Sequence, residues 1–469
     1  MDESDALLAA LHRTAEPEAA RAVERLLRHG SDADLARINA VHLAGQAGLD
    51  EEPVIAALLH GARLGLLELA WNVLCPSCSG VLEAPASLHG VRQDYHCAFC
   101  ALDSEPVLDD TVEVTFTVSP RVRRIAAHDP DGLGLWDYQR QVFFGSGVAF
   151  PEPEDFDALA QRALVEAVEL KPGERMILAL SLGSEPLVVV DPVTHAAHVV
   201  TVAGEPTSER QDLALVFDGA RTSAGSATFR PGPLRLSLDN RSTGRVLPTA
   251  LRLGPDLEAL IGGRRPFLTA KRLLSNQTFR DLYRTDTLAI DQRLKILSLT
   301  FLFTDLKGST ELYARVGDLV AYDLVRAHFR ILHEIVAAEG GAVVKTIGDA
   351  VMATFIGPHR AVAAALRMRA AMQALNAERG ADDLVLKIGL HEGPCLAVSL
   401  NDRQDYFGQT VNVAARVQQL ASAGGIFATE SVLRHAEAAR HLAENGVEAR
   451  VELRSLRGIG EPVPVHEFI

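Results

Sequence analysis

Long apolar runs are missing from this 469-residue chain: no stretch of eighteen or more apolar residues occurs, and the most apolar, Met176 to Val190, is broken by polar residues and glycine. A membrane-spanning helix is therefore not expected. The start, MDESDALLAALHRTAEPEAA, lacks a basic region followed by an apolar core and a small-residue cleavage site, so a cytoplasmic location and no membrane partner are expected. Positive charge is short as well. With 46 Lys and Arg against 61 Asp and Glu the formal net charge is −15, which argues against a broad grip on nucleic acid or an anionic surface. Cysteine is scarce, five in all, and four of them stand in two tight pairs. A reducing cytosol disfavours reading those pairs as disulfides and favours metal ligation. There is no repeat of fixed period and no long low-complexity tract. What remains is 48% hydrophobic residues with Gly and Pro scattered, enough for about two to four packed domains.

From Glu18 to about Ala70 apolar residues recur at helical spacing, with Ser31 and Asp50 placed as N-caps and Pro53 near a helix start, which predicts three short helices. The run LLELAW then reads as a strand. Such a unit could be winged-helix-like, but it lacks a basic recognition face, so a packing module or dimer contact is favoured over DNA binding. Cys75, Cys78, Cys97 and Cys100 form C-x2-C-x18-C-x2-C, two knuckles able to close a tetrahedral site around one structural Zn²⁺ at about 2.3 Å. Four protein ligands leave no open position for catalysis, and a redox dithiol is the weaker alternative. His96, beside Cys97, is read as a packing or surface residue. Between Thr111 and about Leu253 the runs VEVTFTV, MILALSL, PLVVV, HVVTV, LALVF and LRLSL alternate with DPDG, DPVT and NRSTG, predicting an all-β sandwich with one helix around Asp155 to Glu169. No acid, base or nucleophile cluster stands out there. A connector follows, helical in spacing through Leu273, Leu274, Phe279 and Leu282.

The last third carries the chemistry. LTFLFTDLKGST is an apolar strand ending in Asp305, followed by Gly308, Ser309 and Thr310 at a helix start. A carboxylate beside free helix-start amides suits a cation-bound polyphosphate, although an Asp at a strand end is often only an N-cap. AVVKTIGDAVMATF reads as two strands joined by a turn at Gly348, with Asp349 opening the return strand. Two carboxylates on neighbouring strand ends could hold two divalent ions; a turn-stabilising Asp is the bland alternative. DYFGQTVNVAARVQQL sets Asp405 before a Gly-containing loop, and Asn412 and Arg416 four residues apart on one helix face beside a buried stripe of Val413, Val417 and Leu420. Cys395, after GLHEGP, is read as a small core residue.

FTDLKGST, KTIGDAVMATF and DYFGQTVNVAAR, in this order and spacing, resemble three blocks of the class III nucleotidyl cyclase catalytic domain, over a little more than a third of the chain. The resemblance implies that Asp305 and Asp349, with the Leu306 carbonyl, ligate two Mg²⁺ or Mn²⁺ ions per active site. It implies that Lys345 and Asp405 read the purine, Asn412 orients the ribose and Arg416 stabilises charge at phosphorus. It further implies a homodimer in which one subunit supplies the two metal aspartates and the other the remaining four residues. Lys345 and Asp349 would then serve different sites rather than form a surface ion pair. Lys and Asp match the acceptor N1 and donor amino group of adenine, whereas guanylyl cyclases of this family typically carry Glu and Cys there, so ATP is the expected substrate. SLRGIGEPVPVHEF resembles the closing strand pair of the family, with Arg457 in place of a phosphate-contacting Lys.

The expected architecture is a multidomain α+β chain: a helical unit over 1–70, a zinc ribbon over 71–110, a β-rich sandwich-like domain over 111–265, a connector over 266–298, and a ferredoxin-like βαββαβ-type cyclase domain over 299–469. The function it implies is a regulated adenylyl cyclase, with a catalytically silent nucleotide sensor or a guanylyl cyclase as alternatives. The first 290 residues would answer to an unknown regulatory ligand or protein.

Overall fold

A computed structural model describes residues 3–219, 224–283, 292–381, 383–400 and 403–469, apart from the side chains of Ala224, Ser309, Thr310 and Tyr313. By contact the chain divides into one unit of Met1–Pro106 with Asp110–Leu268 and a second of Val107–Asp109 with Thr269–Ile469.

The first unit begins with helices α1 (Glu3–Thr14), α2 (Pro17–His29), α3 (Asp32–Leu35), α4 (Ala40–Ala47) and α5 (Glu51–Leu64). Between Glu18 and Ala70 there are thus four helices where the spacing predicts three. The extra one is a single turn started by a reciprocal cap: Ser31 Oγ accepts from the Asp34 amide at 3.2 Å and Asp34 Oδ2 accepts from the Ser31 amide at 2.9 Å. Asp50 occupies the N-cap of α5 but makes no side-chain cap bond. The LLELAW run is in strand β1 (Leu67–Leu74), which pairs antiparallel with β2 (Val81–Glu83) and β5 (Val112–Val118). VEVTFTV, grouped with the sandwich by its sequence, is this β5. It pairs with β1 along its whole length and is buried on both faces, Glu113 and Thr115 as well as Val114 and Phe116. The hairpin of β3 (Tyr95–Cys97) and β4 (Leu102–Ser104) carries the second cysteine pair.

Short helix α6 (Leu135–Tyr138) and α7 (Pro153–Ala163) precede the sandwich strands β6 (Leu164–Ala167), β7 (Arg175–Leu182), β8 (Leu187–Asp191), β9 (Ala196–Val202), β10 (Gln211–Phe217), β11 (Ala224–Phe229), β12 (Gly232–Asn240) and β13 (Thr249–Arg252); α8 (Pro255–Ile261) follows. The predicted helix over 155–169 ends early, because Leu164 to Ala167 pair with β13 instead. Five strands in the order β11-β9-β8-β13-β6 face three in the order β10-β12-β7. Val189 and Ala250 of one sheet share a core with Phe217, Leu236 and Leu238 of the other, which makes this a sandwich.

In the second unit the connector forms two helices rather than one, α9 (Ala270–Leu274) and α10 (Gln277–Leu282). Asn276 breaks the run by capping: its side chain accepts from the Phe279 amide at 2.9 Å. The rest of the connector includes residues 284–291, which lie outside the described residues. Then come β14 (Leu294–Leu306), α11 (Ser309–Val316), α12 (Asp318–Ala338), β15 (Ala342–Ile347), β16 (Ala350–Phe355), α13 (Pro358–Arg379), β17 (Leu386–Leu400), β18 (Arg403–Phe407), α14 (Gln409–Leu420), β19 (Ile426–Thr429), α15 (Glu430–Leu433), α16 (Ala436–Glu444), β20 (Ala449–Arg454) and β21 (Val463–Phe468). From β14 to β17 the element order is βααββαβ, the expected βαββαβ with its first helix divided into α11 and α12; the spatial order is β15-β16-β14-β17, and β19, β21 and β20 extend the sheet.

Strand parity decides what lies on each face of this sheet. Leu302, Leu306, Ala353, Phe355, Ile388 and Leu390 point to one side and share a core with α12 and α13. Each large apolar side chain fully buried there contributes roughly 1.5–3 kcal/mol. On the other side Val413 and Val417 of α14 pack with Phe427, Leu456 and Val465. The helix comes so near the sheet that a Cβ on Gly389 would stand 2.2 Å from the Gln418 amide nitrogen. Only glycine fits at that crossing.

Candidate active site and cysteine cluster

Asp305 lies one residue before the end of β14, on the face opposite Leu302 and Leu306, and so on the side of α14. Burial raises its pKa first, and the Asp349 charge raises it further; Lys387, the Gln418 side chain and the Leu306 amide pull it back in part. The two carboxyl groups are thus close enough to repel. Asp349 is in the two-residue turn between β15 and β16 rather than on the return strand, after Gly348 at φ +64°. Its Oδ2 is buried without a hydrogen-bond partner. A repelling carboxylate pair with one orphaned buried oxygen fits a divalent cation, which would satisfy the oxygen and remove the repulsion.

Three residues that the sequence reading passed over surround this pair. Thr304 Oγ1 accepts from the Val351 amide at 3.1 Å, tying the return strand to the strand that bears Asp305. His328 of α12 is buried, and its ring lies near the Asp349 backbone; burial pushes its pKa down to about 4, so it is neutral at pH 7. Gln418, almost fully buried on α14, sets its amide near Asp305. None carries a local signal, because each contact joins elements far apart in sequence.

Lys345 on β15 and Asp405 on β18 form an ion pair through Nζ and Oδ2, although 60 positions separate them. Lys345 therefore pairs with Asp405, not with its sequence neighbour Asp349. The other oxygen, Asp405 Oδ1, accepts from the Tyr406 amide at 2.8 Å, which fixes the carboxylate plane. Arg280 of α10 grips both strands: its Nη2 donates to the carbonyl of Val344 at 3.3 Å and to that of Gln404 at 2.9 Å, the residues just before Lys345 and Asp405. Gln277 Oε1 accepts from the Val343 amide at 2.8 Å. A cavity of about 280 Å³ opens here, lined by Arg280, His333, Lys345 and Gln404 among others.

Asn412 is exposed on α14 and Arg416 is half-buried one turn on. The Arg416 guanidinium lies beside the turn after β20: a Cβ on Gly458 would stand 3.5 Å from one of its Nη atoms, and Arg457 is the exposed neighbour in that turn. Gly308, at φ +67°, precedes α11. Ser309 and Thr310 open that helix, and their side chains lie outside the described residues. Cys395 is buried and its thiol is pushed up to about 12 by that burial, as a small core residue should be.

In the first unit the Sγ atoms of Cys75, Cys78, Cys97 and Cys100 all lie within 4.8 Å of one another, with Cys78 and Cys97 at 3.8 Å. Sulfurs bound tetrahedrally at about 2.3 Å would be roughly 3.8 Å apart, so the quartet fits zinc. The Cys78 thiol is pushed up, chiefly by its contact with Cys100, while Cys100 is pushed down, chiefly by its contact with Cys75. Four thiolates cannot coexist here without a cation. His96 turns to Asp103 across the hairpin, Nδ1 to Oδ1 at 2.7 Å, and is no ligand.

Residues 1–281 match the family of unknown function DUF5939, and residues 293–460 match the adenylate and guanylate cyclase catalytic domain. The chain belongs to the DUF5939 family and ends in a cyclase catalytic domain. The DUF5939 match runs through α10, so its last residues include Arg280, which touches the cyclase strands. An uncharacterized protein of Mycobacterium tuberculosis is 31% identical over 210 residues, 44% of this chain and 50% of its own length. An adenylate cyclase of Anabaena cylindrica is 27% identical over 184 residues, 36% of each chain. The solved adenylyl cyclase CyaB from P. aeruginosa aligns with 38% of this chain and 96% of its own at 24% identity, with a TM-score of 0.33. The chain spans about half the length of the first of these relatives. No helix among the described residues is long and apolar enough to cross a membrane.

Proposed function

We propose that the protein is an adenylyl cyclase that converts ATP to 3′,5′-cyclic AMP and pyrophosphate at sites shared between two copies of the chain. The observation that carries this reading is the Lys345–Asp405 pair, an ammonium donor and a carboxylate acceptor held side by side. Adenine presents the complementary acceptor N1 and donor amino group, whereas guanine presents N1–H and O6, which would leave both protein groups mismatched. On binding, the base replaces each partner with a group of its own.

Asp305 and Asp349 would hold two Mg²⁺ or Mn²⁺ ions with the Leu306 carbonyl. When bound, these ions supply the Lewis acidity that favours attack of the ribose 3′-oxygen on the α-phosphorus and departure of pyrophosphate. Asn412, exposed at the start of α14, orients the ribose of the nucleotide read by its own subunit. Arg416 offsets charge that builds at phosphorus, which a preorganised guanidinium does without reorganisation cost. Gly308, the α11 amides at Ser309 and Thr310, and Arg457 meet the phosphates. The quartet of cysteines holds one structural Zn²⁺ in the regulatory half.

Purified protein incubated with ATP or GTP and Mn²⁺ should form cyclic AMP at least ~10²-fold faster than cyclic GMP. Lys345→Glu with Asp405→Cys should reverse that preference. Cyclic GMP as the main product of the unaltered protein would make it a guanylyl cyclase, and no cyclic nucleotide from either substrate would make it a silent sensor.

A further inference from the structure

The first unit has a half-open cavity of about 360 Å³ whose lining includes Arg37, Arg140, Arg265, His42, Gln141 and Phe144. Three guanidinium groups around one hollow are unusual in a chain of net charge −15. Their backbones are also unusual. Arg37, just past α3, has φ +50°, a left-handed conformation that costs a non-glycine residue about 1 kcal/mol or more and persists only where its surroundings enforce it. Arg140 and Gln141 sit in a π-helical turn, Gln139–Phe143, a distortion that recurs at functional sites.

Two of the arginines have a structural task that uses part of their donor set. Arg37 Nη1 donates to the Phe144 carbonyl at 2.8 Å; Arg265 donates from Nε to Ser146 O at 2.9 Å and from Nη2 to Val148 O at 3.1 Å. A guanidinium has five N–H donors, so each has more to offer. Arg140 stacks its guanidinium over Phe156 at 3.7 Å, and its Nε is buried without a hydrogen-bond partner. The Gln141 side chain is more than nine-tenths buried, and its Oε1 also lacks a partner. Loop-holding accounts for the carbonyl contacts and leaves the remaining guanidinium donors of Arg37 and Arg265 uncommitted.

The charges nearby balance the arginines only in part: Glu113, held by Asn72 at 3.0 Å, Ser146 Oγ at 2.6 Å and the Gly147 amide at 3.2 Å, favours the charged forms of Arg37 and Arg265, and Asp34, which closes the Ser31 cap, is the other carboxylate beside the cavity, two against three guanidinium groups. Burial drags Arg37 down to about 10 despite Glu113, and lowers Arg265 and His42 as well. Partly buried positive charge in excess of its counter-charges is relieved by an anion.

We propose that this cavity is a binding site for a small organic anion, its phosphate or carboxylate head held by Arg37, Arg140 and Arg265. Phe144 would cover its apolar part. The volume suits a molecule of metabolite size. The site lies wholly in the DUF5939 unit and does not depend on the cyclase reading.

The chain's two tryptophans, Trp71 and Trp136, are both in this unit, and Trp136 meets Phe156 edge-on at 5.4 Å, the same ring that Arg140 covers. Tryptophan emission therefore reports on the first unit, with Trp136 one ring removed from the Arg140 side of the cavity. The full chain is titrated with inorganic phosphate and, separately, with succinate, at ionic strength matched by sodium chloride. A saturable change with half-saturation at or below ~1 mM is expected for at least one, and which one responds identifies the head group. Arg140→Gln should weaken that response at least ~10-fold with an unchanged circular dichroism spectrum. Arg265→Lys, which keeps the charge but loses the forked donor set, should weaken it less. No saturable change with either anion, or the same response in Arg140→Gln as in the unaltered protein, overturns the proposal.

Discussion

Two places among the described residues could hold metal, and they are built in opposite ways. The cysteine quartet is closed: four sulfurs, all within 4.8 Å, meet in a small hairpin framework and leave no room for a fifth ligand. The aspartate pair is open: two carboxylates repel, one oxygen has no partner, and a buried histidine and a glutamine amide stand by without supplying a full ligand set. A closed donor set places its free energy in folding, whereas an open one keeps positions for water or substrate. Unsatisfied polar groups mark the second kind of site.

The largest effect is expected at the open site. Asp305→Asn should lower cyclase kcat about 10³-fold or more while the melting temperature holds or rises, since it removes a buried carboxylate repulsion. Asp305→Asn mixed with Arg416→Ala should regain part of the activity if two copies share each site; activity absent from the mixture would break the dimer reading. At the closed site the sign of the comparison reverses. Cys75→Ser, or zinc chelation, should lower the melting temperature of the first unit by about 5–10 °C, as seen by scanning calorimetry, because ligation energy there is folding energy. Unchanged stability with reduced turnover would mean that the quartet is not structural.

Smaller effects sharpen the contrast inside the cyclase domain. Arg280→Ala should raise the KM for ATP roughly 3–10-fold and narrow the preference for ATP over GTP, with kcat within about 2-fold, because it frees the strands that carry Lys345 and Asp405 rather than the reacting groups. Arg280→Lys should restore part of the preference, and a loss confined to kcat would rule out this positioning role. A separate effect is one of pH. Burial holds His391 down to about 4, below an unfolded value near 6.5, so the unfolded chain binds the extra proton between these values. Stability should fall as pH drops through that window, by at most about 1.4 kcal/mol per pH unit, and His391→Gln should flatten the slope in urea titrations.

What could be read from the chain depended on how local each feature is. Asp305 at a strand end, the tight turn at Gly348 and Asn412 with Arg416 on one helix are patterns a few residues long, and the strand, turn and helix stand where those patterns put them. Helix limits were harder. Pairing of Leu164 to Ala167 with β13 overrode helical spacing, and the Asn276 cap split the connector in two. VEVTFTV alternates as any half-buried strand does, so nothing in it said which sheet it would join.

By itself the sequence determined the chemistry on offer: which donors, acceptors and sulfurs exist and how they alternate along each element, since these follow from residue type and backbone period. Only the tertiary structure decided which of them meet. Lys345 finds Asp405 rather than Asp349, Arg280 reaches two strands at once, and three arginines from separate segments line one cavity. Such meetings depend on packing across tens to hundreds of residues, where a contact's energy rests on the burial of both partners and leaves no pattern near either one.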